Sequence, residues 1–248
     1  AIWYIQHDTD MGRINSPVVN YLGEVNMGDS QTLVNFVKWT IANYPAERYA
    51  LILWDTTAHY GAAWRGKETA NTRGVCVDYT SGSDYLTTPE IASALGTILT
   101  ETGIVPNLLG FDVSLMGLFE VAYELEPHLA QPGEHVILAS QEMEPEDGWA
   151  YHLSLVALTN NSTMTATDWA KRIVSDYVSF YTSQGWQYPT LSAISITVPI
   201  PCNVTTLGTA ISNFAQAMMA STEPDKRTKI KTARDGAERF WFNVAHAP

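Results

Sequence analysis

Ser114 and His59 are the residues whose type and setting fit a nucleophile with its base. The run Leu109-Gly110-Phe111-Asp112-Val113-Ser114-Leu115-Met116-Gly117 is an apolar strand pattern that ends in Asp-x-Ser. It then turns through small residues into a helical pattern. In an open α/β sheet, ligands and nucleophiles sit at the carboxyl ends of strands. A second apolar run, Tyr49-Ala50-Leu51-Ile52-Leu53-Trp54, leads into a polar, glycine-containing loop that carries His59. Two acids accompany Ser114. Asp112 shares its strand end, and Glu142 follows the next strand after Ala139-Ser140-Gln141. Two carboxylates at neighbouring strand ends make an anionic pocket, which a guanidinium matches by bidentate pairing and a lysine fits less rigidly. The competing assignment for Asp112 is the cap of the following helix, which leaves the acid at 142 unused.

The elements that must position these residues are readable from hydrophobic period. Strand-like runs cover 2–6, 49–54, 108–112, 135–139 and 192–197. Helical spacing fills 31–44, where Asp29-Ser30 is the cap signal, and 89–101, where Thr88 caps and Pro89 opens the first turn. Further helical patterns occupy 115–125, 167–183, 205–221 and 225–242. Strands alternating with helices predict an α/β layered sandwich with a mainly parallel central sheet flanked by helices. The longest irregular stretch is 55–88, a length that compact domains keep for functional or exposed segments.

Composition bounds the function. The chain has 248 residues, enough for one large domain. It is 46% hydrophobic and 16% charged, which excludes a disordered chain. A net charge of −12 repels nucleic acid and anionic membranes, so neither is an expected partner, and it attracts cationic ones. Cys76 and Cys202 are distant and form no C-x-x-C, which argues against a disulfide framework or structural zinc. Ala1 to Ile5 reads as a strand from the first residue, with no charged-then-apolar leader. A mature or trimmed chain is the expectation. The tryptophans read mostly as core, with Trp64 and Trp149 as candidate walls of the cleft.

The chain resembles the clostripain family, cysteine peptidases with a caspase-like fold. The matching segments are Asn26-Met27-Gly28-Asp29 with Thr32-Leu33, Tyr44-Pro45-Ala46 through Trp54, and Asp84 to Glu90. Gly110 to Gly117, Glu120 to Tyr123, Ala139 to Glu142 and Gly148-Trp149 complete the set, in family order. The resemblance is close over 1–155 and looser beyond. It implies one peptidase domain over 1–248, lacking the family's first strand and helix. It also implies cleavage after Arg or Lys through a His-Cys dyad. His59 takes the histidine role and Ser114 the nucleophile position. Ser114 and Gly61 supply the oxyanion donors, and Asp112, Glu142 and Trp149 line the substrate pocket.

Two departures from the family pattern touch the catalytic pair. Ser114 stands where the family has cysteine, and Thr56-Thr57-Ala58 separates Trp54-Asp55 from His59. A serine here fits three readings: an engineered replacement, a natural loss that leaves a non-catalytic protein binding basic peptides or a partner, or a serine hydrolase on the same scaffold. Asp55 is the residue to test as a third member. The resemblance also implies that 55–88 contains an activation loop, with Arg73 the most accessible cleavage point. Partners are then peptides or proteins bearing basic residues, and a secreted or cell-envelope location is favoured. No cofactor is required. Calcium occurs in the family, and Asp8 and Asp10 are the weak candidates to hold it.

Overall fold

The computed structural model describes residues 1–7, 10, 12–13, 15–55, 74–186, 189–196 and 204–237. Its centre is a four-stranded sheet in the order β3 (Ala50–Trp54), β6 (Leu108–Asp112), β7 (Val136–Ala139), β8 (Ser192–Ser195). The pairs β3–β6 and β6–β7 are parallel, and β8 runs antiparallel to β7. The register sets Trp54 beside Asp112 and Phe111 beside Ala139, so three strands deliver their carboxyl ends to one edge.

Strand β6 is buried at every position. Its side chains divide between two cores, as period-two alternation requires. Leu109 and Phe111 face helices α1 (Ser30–Asn43), α2 (Thr88–Thr102) and α3 (Phe119–Leu129) through Leu33, Val34, Leu95, Ile98 and Leu125. Leu108 faces the opposite layer, where α5 (Ala166–Ser183) contributes Trp169, Ile173, Tyr177 and Tyr181, with α4 (Tyr151–Asn160) packed beside it. Burying each large apolar side chain of β6 contributes about 1.5–3 kcal/mol. The strand that ends in Asp112 is therefore fixed from both faces.

Helix starts follow the sequence signals closely. Asp29 caps α1, its carboxylate accepting from Gln31 N–H. The cap of α2 is Thr87 rather than Thr88, in a reciprocal box with Glu90. Three expectations are corrected. First, the stretch 55–88 contains an antiparallel hairpin, β4 (Gly74–Asp78) with β5 (Asp84–Thr87). Second, the strand read over 2–6 is shorter: β1 (Ile2–Trp3) pairs with β2 (Val18–Asn20) in a separate two-stranded sheet. Third, the helix after Ser114 begins at Phe119, so Asp112 does not cap it. Trp3, Trp54 and Trp186 are exposed rather than core. Helices α6 (Val204–Ala220) and α7 (Lys226–Asp235) close the described chain.

Candidate active site

Beyond Asp112 the chain leaves β6 and turns sharply. Leu115 holds φ +64°, a left-handed conformation uncommon for a residue with a side chain and typical of functional turns. Two backbone bonds fasten this turn to the segment after β7: Leu115 N–H to Glu142 O at 3.2 Å and Gly117 N–H to Ser140 O at 2.7 Å. Gly117 is required there. A Cβ at this position would lie 2.7 Å from the carbonyl carbon of Ser140. Ser140 Oγ in turn donates to Thr190 O and accepts from Glu142 N–H.

Ser114 is fully buried, and its Oγ accepts the backbone N–H of Glu144 at 2.9 Å. Residues 142–149 thus lie directly over the nucleophile position. The same segment reaches Asp112, which is only 1% exposed. Asp112 Oδ2 accepts from Trp149 N–H at 3.1 Å and from the Tyr151 hydroxyl at 2.7 Å. The close approach depends on Gly148 at φ +69°, where a Cβ would sit 2.8 Å from Asp112 Oδ2.

The buried partner of Asp112 is Glu144, not Glu142. Glu144 is 4% exposed, its side chain is in hydrogen-bonding contact with Asp112, and its Oε1 accepts from the Trp149 indole at 3.3 Å. Glu142 is half-buried and its Oε1 accepts from Met143 N–H. Burial pushes both Asp112 and Glu144 upward, and the charge of Asp112 raises Glu144 further. The donors Tyr151 and Trp149 pull Asp112 back down. Two oxygens, Asp112 Oδ1 and Glu144 Oε2, have no hydrogen-bond partner among the described residues. Both shifts favour the neutral form, and Glu144 is the more strongly raised of the pair.

Three tyrosines complete the surroundings. Burial and the nearby acids raise Tyr151 and Tyr177, and push Tyr181 up to about 12, so all three phenols stay neutral. Tyr181 donates to Gly148 O at 2.5 Å, and Tyr177 Oη has no partner. Sequence reasoning missed Glu144, Tyr151, Tyr177 and Tyr181. The Tyr177/Tyr181 spacing of four on α5 marks one helix face, which was the available signal.

The remaining candidates separate. Asp55 Oδ2 accepts from Val77 N–H, so its carboxylate binds the β4 strand, while its own N–H donates to Asp112 O. Cys76 does not replace the absent cysteine nucleophile: burial, reinforced by Asp55, pushes its thiol up to about 12. Asp10 accepts from Gly12 N–H and pairs with Arg13. Among the described residues no group of three or more His, Cys, Asp or Glu could hold a metal ion. His59, Gly61, Trp64, Arg73 and Asp8 lie outside the described residues.

The geometry has relatives. The clostripain family model matches residues 3–241. Clostripain of Hathewaya histolytica is 33% identical over 134 residues, which is 52% of this chain and 24% of clostripain. An inactive protease zymogen from Parabacteroides distasonis superposes with a TM-score of 0.50 at 19% identity, over 78% of this chain and 46% of its own. A secreted cysteine protease from Bacteroides thetaiotaomicron, solved with an irreversible peptide inhibitor, gives 0.52 at 19%, over 76% and 51%. The chain thus spans about half the length of these solved relatives. The layered arrangement is the caspase-like fold they share.

Proposed function

The chain belongs to the clostripain family, and we propose that it is a peptidase scaffold that receives a basic side chain beside Ser114 at the carboxyl edge of its sheet. One observation carries this reading. Two buried carboxyls, Asp112 and Glu144, meet two residues before the nucleophile position with no cation among the described residues to neutralise them. A guanidinium or ammonium is the complement of such a site.

The reaction follows from the nucleophile. With a cysteine at position 114, the thiolate attacks the carbonyl carbon after the basic residue, and the peptide nitrogen leaves with a proton from His59. Water then hydrolyses the thioester. With Ser114 the first step needs a hydroxyl that is a far weaker acid. That hydroxyl is also enclosed beneath the Glu144 amide. This contact favours a second reading for the present sequence: binding of basic peptides with little or no turnover. We further propose an extracytoplasmic location, since the Bacteroides thetaiotaomicron relative is described as secreted.

Replacement of Ser114 by Cys tests both readings. Fluorogenic peptides with Arg, Lys, Leu or Asp before the bond should show cleavage appearing, or rising by orders of magnitude, for Arg and Lys alone. If calorimetry shows that the parent binds an arginine peptide and the variant still does not cleave it, the binding reading holds. If the parent binds no basic peptide and the variant cleaves none, both readings fail.

A further inference from the structure

The segment 142–149 is anchored at Glu142 to Ser140 and Leu115, and four further bonds tie it to residues of the pocket. Glu144 N–H is bound to Ser114 Oγ, Trp149 N–H to Asp112, the Trp149 indole to Glu144, and Gly148 O to Tyr181. The Glu144 carboxyl lies in contact with Asp112. Two oxygens of this pair, Asp112 Oδ1 and Glu144 Oε2, are buried with no hydrogen-bond partner among the described residues, while the two side chains are in contact.

We propose that a single proton shared by Glu144 and Asp112 holds this segment closed, and that an entering cationic side chain displaces that proton to solvent. The proposal rests on the basic-residue reading given above and adds the regulation of the same site. The exchange balances. The closed pair carries one negative charge. The occupied pair carries two, offset by the one positive charge of the ligand, and one proton leaves. Two adjacent buried carboxylates without either the proton or the ligand would repel each other, so the segment opens when both are absent.

The titratable groups facing the pair from each packed element are few among the described residues. Tyr151 comes from α4, Tyr177 and Tyr181 from α5, Asp147 from the covering segment, and Asp55 from the end of β3. The tyrosines remain neutral through the physiological range. No described group other than Glu144 and Asp112 both lies at this centre and gains or loses the proton in question.

The consequence is a proton-linked specificity site. Affinity for a guanidinium should rise roughly tenfold per pH unit while the pair still holds its proton, then level off. Nα-acetyl-L-arginine amide is the probe. Calorimetry in two buffers of different ionisation enthalpy should show about one proton released per ligand bound. The Glu144→Gln variant, whose amide keeps the contact with Asp112 and has no proton to lose, should release none and bind with little pH dependence. Binding by the parent without proton release overturns the proposal and leaves the basic-residue reading intact.

Absence of binding at any pH sinks the basic-residue reading, and the ligand-free protein then decides the lock. Difference infrared spectroscopy should show a protonated carboxyl at neutral pH. Isotopic labelling of the glutamate carboxyl carbons should shift that band, an assignment that needs no substitution. A neutral-pH spectrum without a protonated glutamate carboxyl overturns the lock outright.

Discussion

Tyr151 donates its hydroxyl to Asp112 Oδ2 over 2.7 Å, so the first turn of α4 supports the acid that precedes the nucleophile position by two residues. Trp149 N–H reaches the same oxygen from the covering segment. A buried carboxylate with two donors on one oxygen has its charge aimed and partly offset, while its other oxygen has no partner among the described residues.

Removing that donor tests the relationship. Tyr151→Phe should cost about 1–3 kcal/mol of stability, because a buried acceptor loses its partner while shape is kept. The donor favours the charged form of Asp112, so its loss should also carry the proton of the pair to higher pH. Urea unfolding measures the first effect and the pH dependence of arginine-probe binding the second. A variant as stable as the parent would show that the phenol contributes only packing.

Asp78 governs the acid limb of stability. Its carboxylate accepts from Met27 N–H, the Thr80 N–H and hydroxyl, and Ser81 N–H, which together hold it down at about 2 from 3.8. A folded value below the unfolded one means the contribution is complete above the unfolded value and is lost as pH falls through the folded one. Asp78→Asn should therefore be less stable than the parent near neutrality, and the gap should narrow as pH falls from about 4 to about 2. Denaturation midpoints across that range give the curve. A gap that stays constant would remove the carboxylate from the explanation.

Gly117→Ala places a methyl 2.7 Å from the Ser140 carbonyl carbon and 2.9 Å from Ala139 O, atoms of the backbone that cannot rotate aside. The expected cost is about 1–3 kcal/mol, as for overpacking elsewhere. The turn at Leu115 should shift with it, so in the Ser114→Cys background cleavage should fall more than folding does. Circular dichroism and a peptide assay on the same preparation separate the two. Equal losses in both would mean the turn is held elsewhere.

The central strands were legible because period decides them. Leu108–Asp112 and Val136–Ala139 are short apolar runs whose side chains all find a core, so no alternative face competes. The hairpin at 74–87 was hidden for the opposite reason. Gly74–Asp78 is five residues long and bulged, with Cys76 at φ +61°, so its alternation is broken where it would be read. The acid that contacts Asp112 lies two residues beyond the Glu142 that the sequence suggested. Glu142 and Glu144 sit in an irregular segment, where sequence spacing gives no facing rule. Only the backbone bonds from Leu115 to Glu142 and from Glu144 to Ser114 show that the carbonyl of one and the amide of the other grip the turn. Their side chains then part, one to a neighbouring amide and one to Asp112.

Every motif that ties this chain to its family ends by Trp149, yet two phenols beneath the site come from α5, beyond that point. The family model itself runs on through α5 to residue 241, and the stretch of close motifs is thus not a self-sufficient unit. A chain ending near residue 160 would retain Ser114, Asp112, Glu144 and the segment over them, but it would open one face of that pair to water. Hydration lowers the cost of ionising both acids. Such a fragment would keep the family's signature and lose the low-dielectric chamber that gives the signature its electrostatic meaning. The site therefore depends on a helix that lies beyond the close motifs and within the family match.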